Sequence, residues 1–208
     1  MKKDRLLALC SRHAYFDLAF LVQIAGEKPA TINLSVKRWL ADGTLLALRR
    51  GMYALAEHLR KADIPSPRLA NDLYPPSYLT DVWALAFHGL IPDVAREYTS
   101  ATMRRPQCFR NHLGVFSYRH LSAAYFWGFE MMRTNAVEFR CATPEKALLD
   151  HWYWAPGEWT PERLRELRLQ NLDRLDIAKL EAALSRMGKP RLVRAYRAFR
   201  ETLREEGL

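Results

Sequence analysis

Residues 141–150, "CATPEKALLD", place a thiol, a hydroxyl, two carboxylates and an amine within ten positions. These are the groups of nucleophilic and general acid–base catalysis. The same residues also spell a helix start. Thr143 follows a strand-like run and can cap with its hydroxyl. Pro144 suits the first helical position because it has no amide hydrogen to leave unpaired. Glu145 falls in the first turn, where the helix dipole favours negative charge. Ala147, Leu148 and Leu149 supply an apolar side. Lys146 alone has no structural reason in this pattern, and catalysis would need a partner group that the spacing does not locate. The stretch is therefore read as a strand end running into a capped helix.

Other chemistry is equally thin. Cys108, His112 and His120 lack the paired C-x2-C and H-x3–5-H spacing of a zinc site. The chain has no glycine-rich phosphate loop, G-x-S-x-G or H-E-x-x-H. His88, just before Gly89, reads as a helix-end residue. Cys10 and Cys141 sit in apolar runs and read as small core residues. The sequence thus predicts no catalytic residue, no metal site, no cofactor and no enzyme activity.

The 208 residues suit two small domains. Six Trp, nine Tyr and nine Phe within a 49% apolar composition can fill a real core. No stretch reaches the roughly 18 uncharged apolar residues of a membrane span, and the N-terminus reads as an amphipathic helix rather than a signal peptide. Three widely spaced cysteines fit reduced thiols and a cytoplasmic location. The formal net charge is +9, which points to nucleic acid or another acidic partner. Residues 1–64 carry eleven Lys/Arg against six Asp/Glu (net +5), residues 65–155 nine against eight (net +1), and residues 156–208 twelve against nine (net +3). Both ends are basic and the middle is nearly neutral.

The predicted fold class is α+β: an N-terminal winged helix-turn-helix, a mixed α/β domain, and a C-terminal helical bundle. The DNA-binding domain spans 1–60 and the second domain 65–208, ending in a helical segment over 156–208. Helices are expected at 4–12, 18–25 (capped by Asp17) and 31–42, the last stopping at Gly43. Two apolar runs, 45–48 and 52–55, flank Arg49-Arg50-Gly51 as a β-hairpin. In a winged helix the third helix enters the major groove and the hairpin touches the backbone. With Ile32, Val36, Trp39 and Leu40 on the buried face, the predicted DNA contacts are Thr31, Asn33, Ser35, Lys37 and Arg38 on the helix, with Arg49 and Arg50 on the wing. The plainer alternative is a solvated helix and a charged turn.

The middle segment reads as a short helix at 67–73, a helix from Thr80 or Asp81 to Gly89, and strands at 97–101, 114–118 and 136–141. Three further helices close the chain. On the last, Leu192, Tyr196, Phe199 and Leu203 form an apolar stripe. Arg191, Arg194 and Arg197, with Arg200 and Arg204, fall on the other side. These arginines are candidate accessory nucleic-acid contacts, or a solvated face relieved by Glu201 and Glu205.

The ordered motifs "LRRGMYAL", "PPSYLTDVWALAFHGLIPD", "GVFSYRHL" and "ATPEKALLD" resemble the AbiEi antitoxins of abortive-infection, type IV toxin–antitoxin systems. The resemblance covers residues 10–155 and fades beyond Pro156. It implies a transcriptional autorepressor whose winged helix binds double-stranded DNA at an operator with inverted repeats. It further implies an antitoxin domain that counters a nucleotidyltransferase-like toxin without a stable complex, and no membrane association. It assigns residues 31–38 to DNA reading and Arg49-Arg50-Gly51 to the wing. Three alternatives stand beside it: a solitary regulator with a ligand-sensing second domain, a nucleic-acid-modifying enzyme, and a winged helix that binds only protein.

Overall fold

The computed structural model describes residues 1–205. The chain is mixed α+β. It opens with α1 (Lys3–Cys10), a two-residue strand β1 (Phe16–Asp17), α2 (Leu18–Ala25) and α3 (Pro29–Ala41), followed by the hairpin β2 (Leu45–Arg49) and β3 (Met52–Leu55). Asp17 caps α2 by accepting from the Phe20 amide at 2.7 Å. Gly26 then ends α2 in the left-handed conformation that glycine adopts without penalty. α3 starts at Pro29, two residues earlier than predicted. The turn-like Lys28-Pro29 is the helix entry, with proline's fixed φ in the first turn. β1, β3 and β2 form a three-stranded antiparallel sheet in that order.

The rest of the chain builds a six-stranded sheet and its covering helices. After α4 (Ser66–Leu73) come β4 (Ser77–Leu79), α5 (Asp81–Phe87), β5 (Tyr98–Thr102), β6 (Gln107–Asn111), β7 (Gly114–His120), β8 (Phe129–Thr134) and β9 (Val137–Ala142). The strand order is β6-β7-β5-β4-β9-β8, with β5·β7 and β4·β9 parallel and the other pairs antiparallel. Then follow α6 (Pro144–Trp154), α7 (Pro161–Glu166), α8 (Ile177–Met187) and α9 (Pro190–Glu205).

Two clusters of buried apolar side chains result. One joins Leu6, Leu21, Ile32, Val36, Trp39, Leu45 and Leu55 inside the first unit. The other runs through the large sheet and α6 to α9, and it takes in Leu48, Met52 and Ala54 from the hairpin. One side of the hairpin therefore belongs to the second core. The seam is also polar: Asn111 Nδ2 donates to the Leu48 carbonyl at 3.0 Å, and Tyr15 Oη to Asp72 at 2.6 Å. No helix among the described residues is long and apolar enough to cross a membrane.

Two local expectations need correction. Neither Thr80 nor Asp81 caps α5 with its side chain: the Thr80 hydroxyl donates instead to Asp150 at 2.9 Å. Strands β1, β4, β6 and β8 are absent from the sequence expectation. β6 and β8 are largely exposed edge strands, so they lack the apolar alternation that marks a half-buried strand.

Candidate nucleic-acid interface

α3 has two distinct faces. Ile32, Ser35, Val36 and Trp39 are buried against the first core. Thr31, Asn33, Leu34, Lys37 and Arg38 are exposed, as are Ala30 and Ala41 at the two ends. Residues 30, 34, 37, 38 and 41 follow helical spacing, so Leu34, Lys37 and Arg38 share one stripe. Lys37 and Arg38 make no ion pair among the described residues. The small Ala30 and Ala41 leave the backbone open to close approach. Asp42, beyond the last turn, accepts from the Thr44 amide at 2.9 Å, and its pKa is held down first by those Thr44 bonds.

Ser35 is only 6% exposed. It faces the core beside Val36 and cannot reach a ligand on the outer face, so it leaves the predicted set. Leu34, missed in the sequence, is 68% exposed at the centre of that face. An exposed leucine flanked by two exposed cations suits apolar contact with a thymine methyl beside phosphate contacts. Its mismatch with the buried pattern was visible in the sequence: Leu34 falls between Ile32 and Val36, off the apolar stripe.

At the hairpin turn the two arginines differ. Arg50 is exposed. Arg49 is half-buried, its Nη1 donates to the Arg50 carbonyl at 3.0 Å, and its Nε is enclosed without a protein partner. Gly51 has φ +79°, which lets the chain reverse there. Its carbonyl accepts from the Leu18 amide at 3.1 Å, which ties the turn to the start of α2.

The α9 arginines do not form one basic face. Arg191 is a clamp: its guanidinium donates to the carbonyls of Ala155 and Gly157, holding the loop after α6. With donors on two carbonyls and its Nε enclosed, Arg191 is less available as an accessory contact than Arg197. Arg194 forks onto the Glu158 carboxylate at 3.1 and 3.0 Å, which cancels its charge locally. Only Arg197 of the three is exposed with no ion pair among the described residues.

The structure also assembles two polar clusters that sequence spacing did not reveal. Lys146 and Asp150, one helical turn apart on α6, form an ion pair with side chains 1% and 0% exposed. Asp150 also accepts from Tyr78 Oη and Thr80 Oγ1, each at 2.9 Å. Burial pushes the lysine pKa down and the carboxyl pKa up, while their mutual attraction opposes both shifts. Beside this network, Asp81 accepts from Arg119 at 3.0 Å and pairs with His151 Nδ1 at 2.5 Å. Asp81 sits at φ +59°, a strained backbone for a residue other than glycine. Burial raises its pKa, but His151 and Arg119 outweigh burial and the net shift is downward.

An Asp–His pair orients an imidazole as a general base does. No serine, threonine or cysteine side chain hydrogen-bonds to His151 among the described residues. Lys146 and Asp150 have no route to solvent, and burial pushes the Cys141 thiol up to about 12. No group of three or more His, Cys, Asp or Glu among the described residues could hold a metal. Cys108 and His112 lie on or beside β6, and His120 Nδ1 is instead bonded to the Arg104 carbonyl at 3.0 Å.

The chain matches no known family model and no curated protein.

Proposed function

We propose that the chain is a DNA-binding transcriptional autorepressor whose first unit is a winged helix-turn-helix. Three helices followed by a hairpin is that motif's order, and α3 occupies its recognition position. The observation that carries the reading is the outer face of α3. Leu34, Lys37 and Arg38 lie together, exposed, with no ion pair to either cation among the described residues, although Asp42 interacts with Arg38 electrostatically, and Arg50 adds a fourth exposed group at the turn. Thr31 and Asn33 add hydrogen-bonding groups on the flank. Phosphates pair with the cations, and base edges with Asn33 and Leu34.

The resemblance to AbiEi antitoxins extends the proposal: the second unit acts as the antitoxin domain against a nucleotidyltransferase-like toxin, without a stable complex. A gel-shift assay on the DNA directly upstream of the gene tests repression. Expected is a saturable complex that Lys37→Gln/Arg38→Gln abolishes at moderate salt; an equal shift by that variant defeats the reading. Rescue of growth when the chain is co-expressed with the neighbouring gene product tests the antitoxin role.

A cleft of about 520 Å³ favours a second reading, regulation by a small molecule. It is lined by Trp83, Phe87, Tyr98 and Leu113, with Arg96 and Asp93 among its polar groups. Leu113 donates its amide to Asn111 Oδ1 at 2.9 Å, and Asn111 in turn bonds the hairpin at Leu48. An enzymatic reading has less support, because the enclosed Lys146–Asp150 pair cannot meet a substrate.

A further inference from the structure

The near-neutral charge of the middle segment hides an uneven distribution. Residues 98–129 contain four arginines and no carboxylate. Two of them, Arg104 and Arg105, lie in the connection 103–106 that passes the end of β7 on its way from β5 to β6, and both are exposed. β6 is the edge strand of the large sheet on the side where the hairpin docks, through Asn111 and Leu48.

The β5–β6 connection packs on one aromatic cluster. Tyr74, Phe109 and Tyr118 pack edge to face, with ring centroids 5.2 to 5.9 Å apart. Arg104 lies over the Tyr74 ring at 4.3 Å and donates to the Pro75 carbonyl at 3.3 Å. Arg49 acts electrostatically on the Tyr118 hydroxyl from the hairpin side. Tyr118 is the register partner of Gln107, the first residue of β6. The far end of β6 leads to His112, which feels Arg60 and Glu57, just past the hairpin's base. The Asn111–Leu48 bond ties the end of β6 to the hairpin, and Met52 at the start of β3 lines one surface pocket with Asp72, two residues before Tyr74.

We infer that the β5–β6 connection, through Arg104 and Arg105, binds the phosphate backbone of duplex DNA and continues the contact begun at Arg50. This rests on the proposed reading of α3 and the hairpin as the DNA-binding unit. The connection is prepared for the task. Stacking on Tyr74 and the bond to Pro75 hold Arg104, and Pro106 fixes the backbone beside Arg105. Less freedom is then lost on binding. Arg105 makes no ion pair among the described residues, so no carboxylate competes with phosphate. Exposed Gln107 can donate to a neighbouring phosphate oxygen. Arg110 belongs to the opposite face of the strand from Phe109 and is left out.

The test measures affinity for the upstream duplex against salt concentration, using the full chain. Each lost phosphate contact makes the log–log slope shallower by about 0.9. Arg104→Gln/Arg105→Gln is expected to flatten it by about 1.8, and Arg105→Gln alone, which disturbs no packing, by about 0.9. Arg133→Gln, on the opposite edge strand β8, serves as the control and should leave the slope unchanged. If Lys37→Gln/Arg38→Gln abolishes binding while both variants of the connection match Arg133→Gln, the inference is overturned and the recognition-helix reading stands. If Lys37→Gln/Arg38→Gln binds as the wild type does, the recognition-helix reading fails, and with it the continuation from the hairpin.

Discussion

Lys146 and Asp150 face each other across one turn of α6 with neither side chain reaching solvent. Together with Tyr78 and Thr80 they form a closed polar knot beneath the large sheet. Removing one member of such a pair strands a buried charge, whereas replacing both with apolar groups need not be costly. Lys146→Met is expected to destabilise the protein by ~3–5 kcal/mol, and Lys146→Met/Asp150→Leu to recover only part of that loss, because Tyr78 Oη and Thr80 Oγ1 then lose their acceptor. Urea unfolding of the two variants checks it; a single-variant loss below ~1 kcal/mol would show that the pair adds little.

Acid should weaken the fold through Asp81. Its folded pKa lies below the ordinary 3.8. The carboxylate therefore contributes stability above the unfolded value, and that contribution is lost as pH falls through the lower folded one. Asn tolerates positive φ nearly as well as Asp, so Asp81→Asn isolates the charge. This variant should be less stable than the wild type at neutral pH, with the difference shrinking toward pH 3. Midpoints of urea unfolding across that range provide the measurement, and a constant difference would refute the charge argument.

Leu34 and Ser35, adjacent on α3, should behave oppositely. Leu34→Ala is expected to leave stability within about 0.5 kcal/mol of wild type. It should weaken operator binding without changing the salt slope, since no phosphate contact is lost. Ser35→Leu adds volume to a packed site and should cost ~1–3 kcal/mol in stability. Thermal melts alongside binding isotherms separate the two; equal effects on both properties would refute the assignment of faces.

The two turn arginines are not equivalent. Arg50→Ala should flatten the salt slope by about 0.9. Arg49→Ala should change it less, because the Arg49 guanidinium is partly enclosed and bonded to the turn carbonyl. A double variant flattening the slope by about 1.8 in equal halves would contradict this asymmetry.

Arg191→Ala should loosen the loop at Ala155 and Gly157 and lower stability, with no effect on the slope. A salt-slope change without a stability change would mark it as a nucleic-acid contact.

Local physics made much of this legible in the sequence. Asp17 before an apolar helix, Thr143-Pro144 before another, and Arg49-Arg50-Gly51 between two apolar runs all led to the elements found. These signals are complete within a few residues. The misses need partners far along the chain. Thr80 looked like a cap, but the carboxylate that takes its hydroxyl is seventy residues away. Lys146 has its charge partner one turn on, at Asp150, but the burial that makes the pair matter comes from Tyr78 and Trp127 in two other segments. Ser35 was misplaced because a small polar residue beside a buried stripe carries no mark of which side it faces. The arginines at 104 and 105 were hidden by averaging charge over a segment whose carboxylates lie elsewhere.

The hairpin's allegiance to both cores limits how the molecule can be divided. A fragment ending near residue 60 would lay Leu48, Met52 and Ala54 open to water, an apolar strip inviting aggregation. Grafting the N-terminal unit onto another protein would carry the same liability. Any exchange of the N-terminal unit must therefore carry the edge of the large sheet along with it.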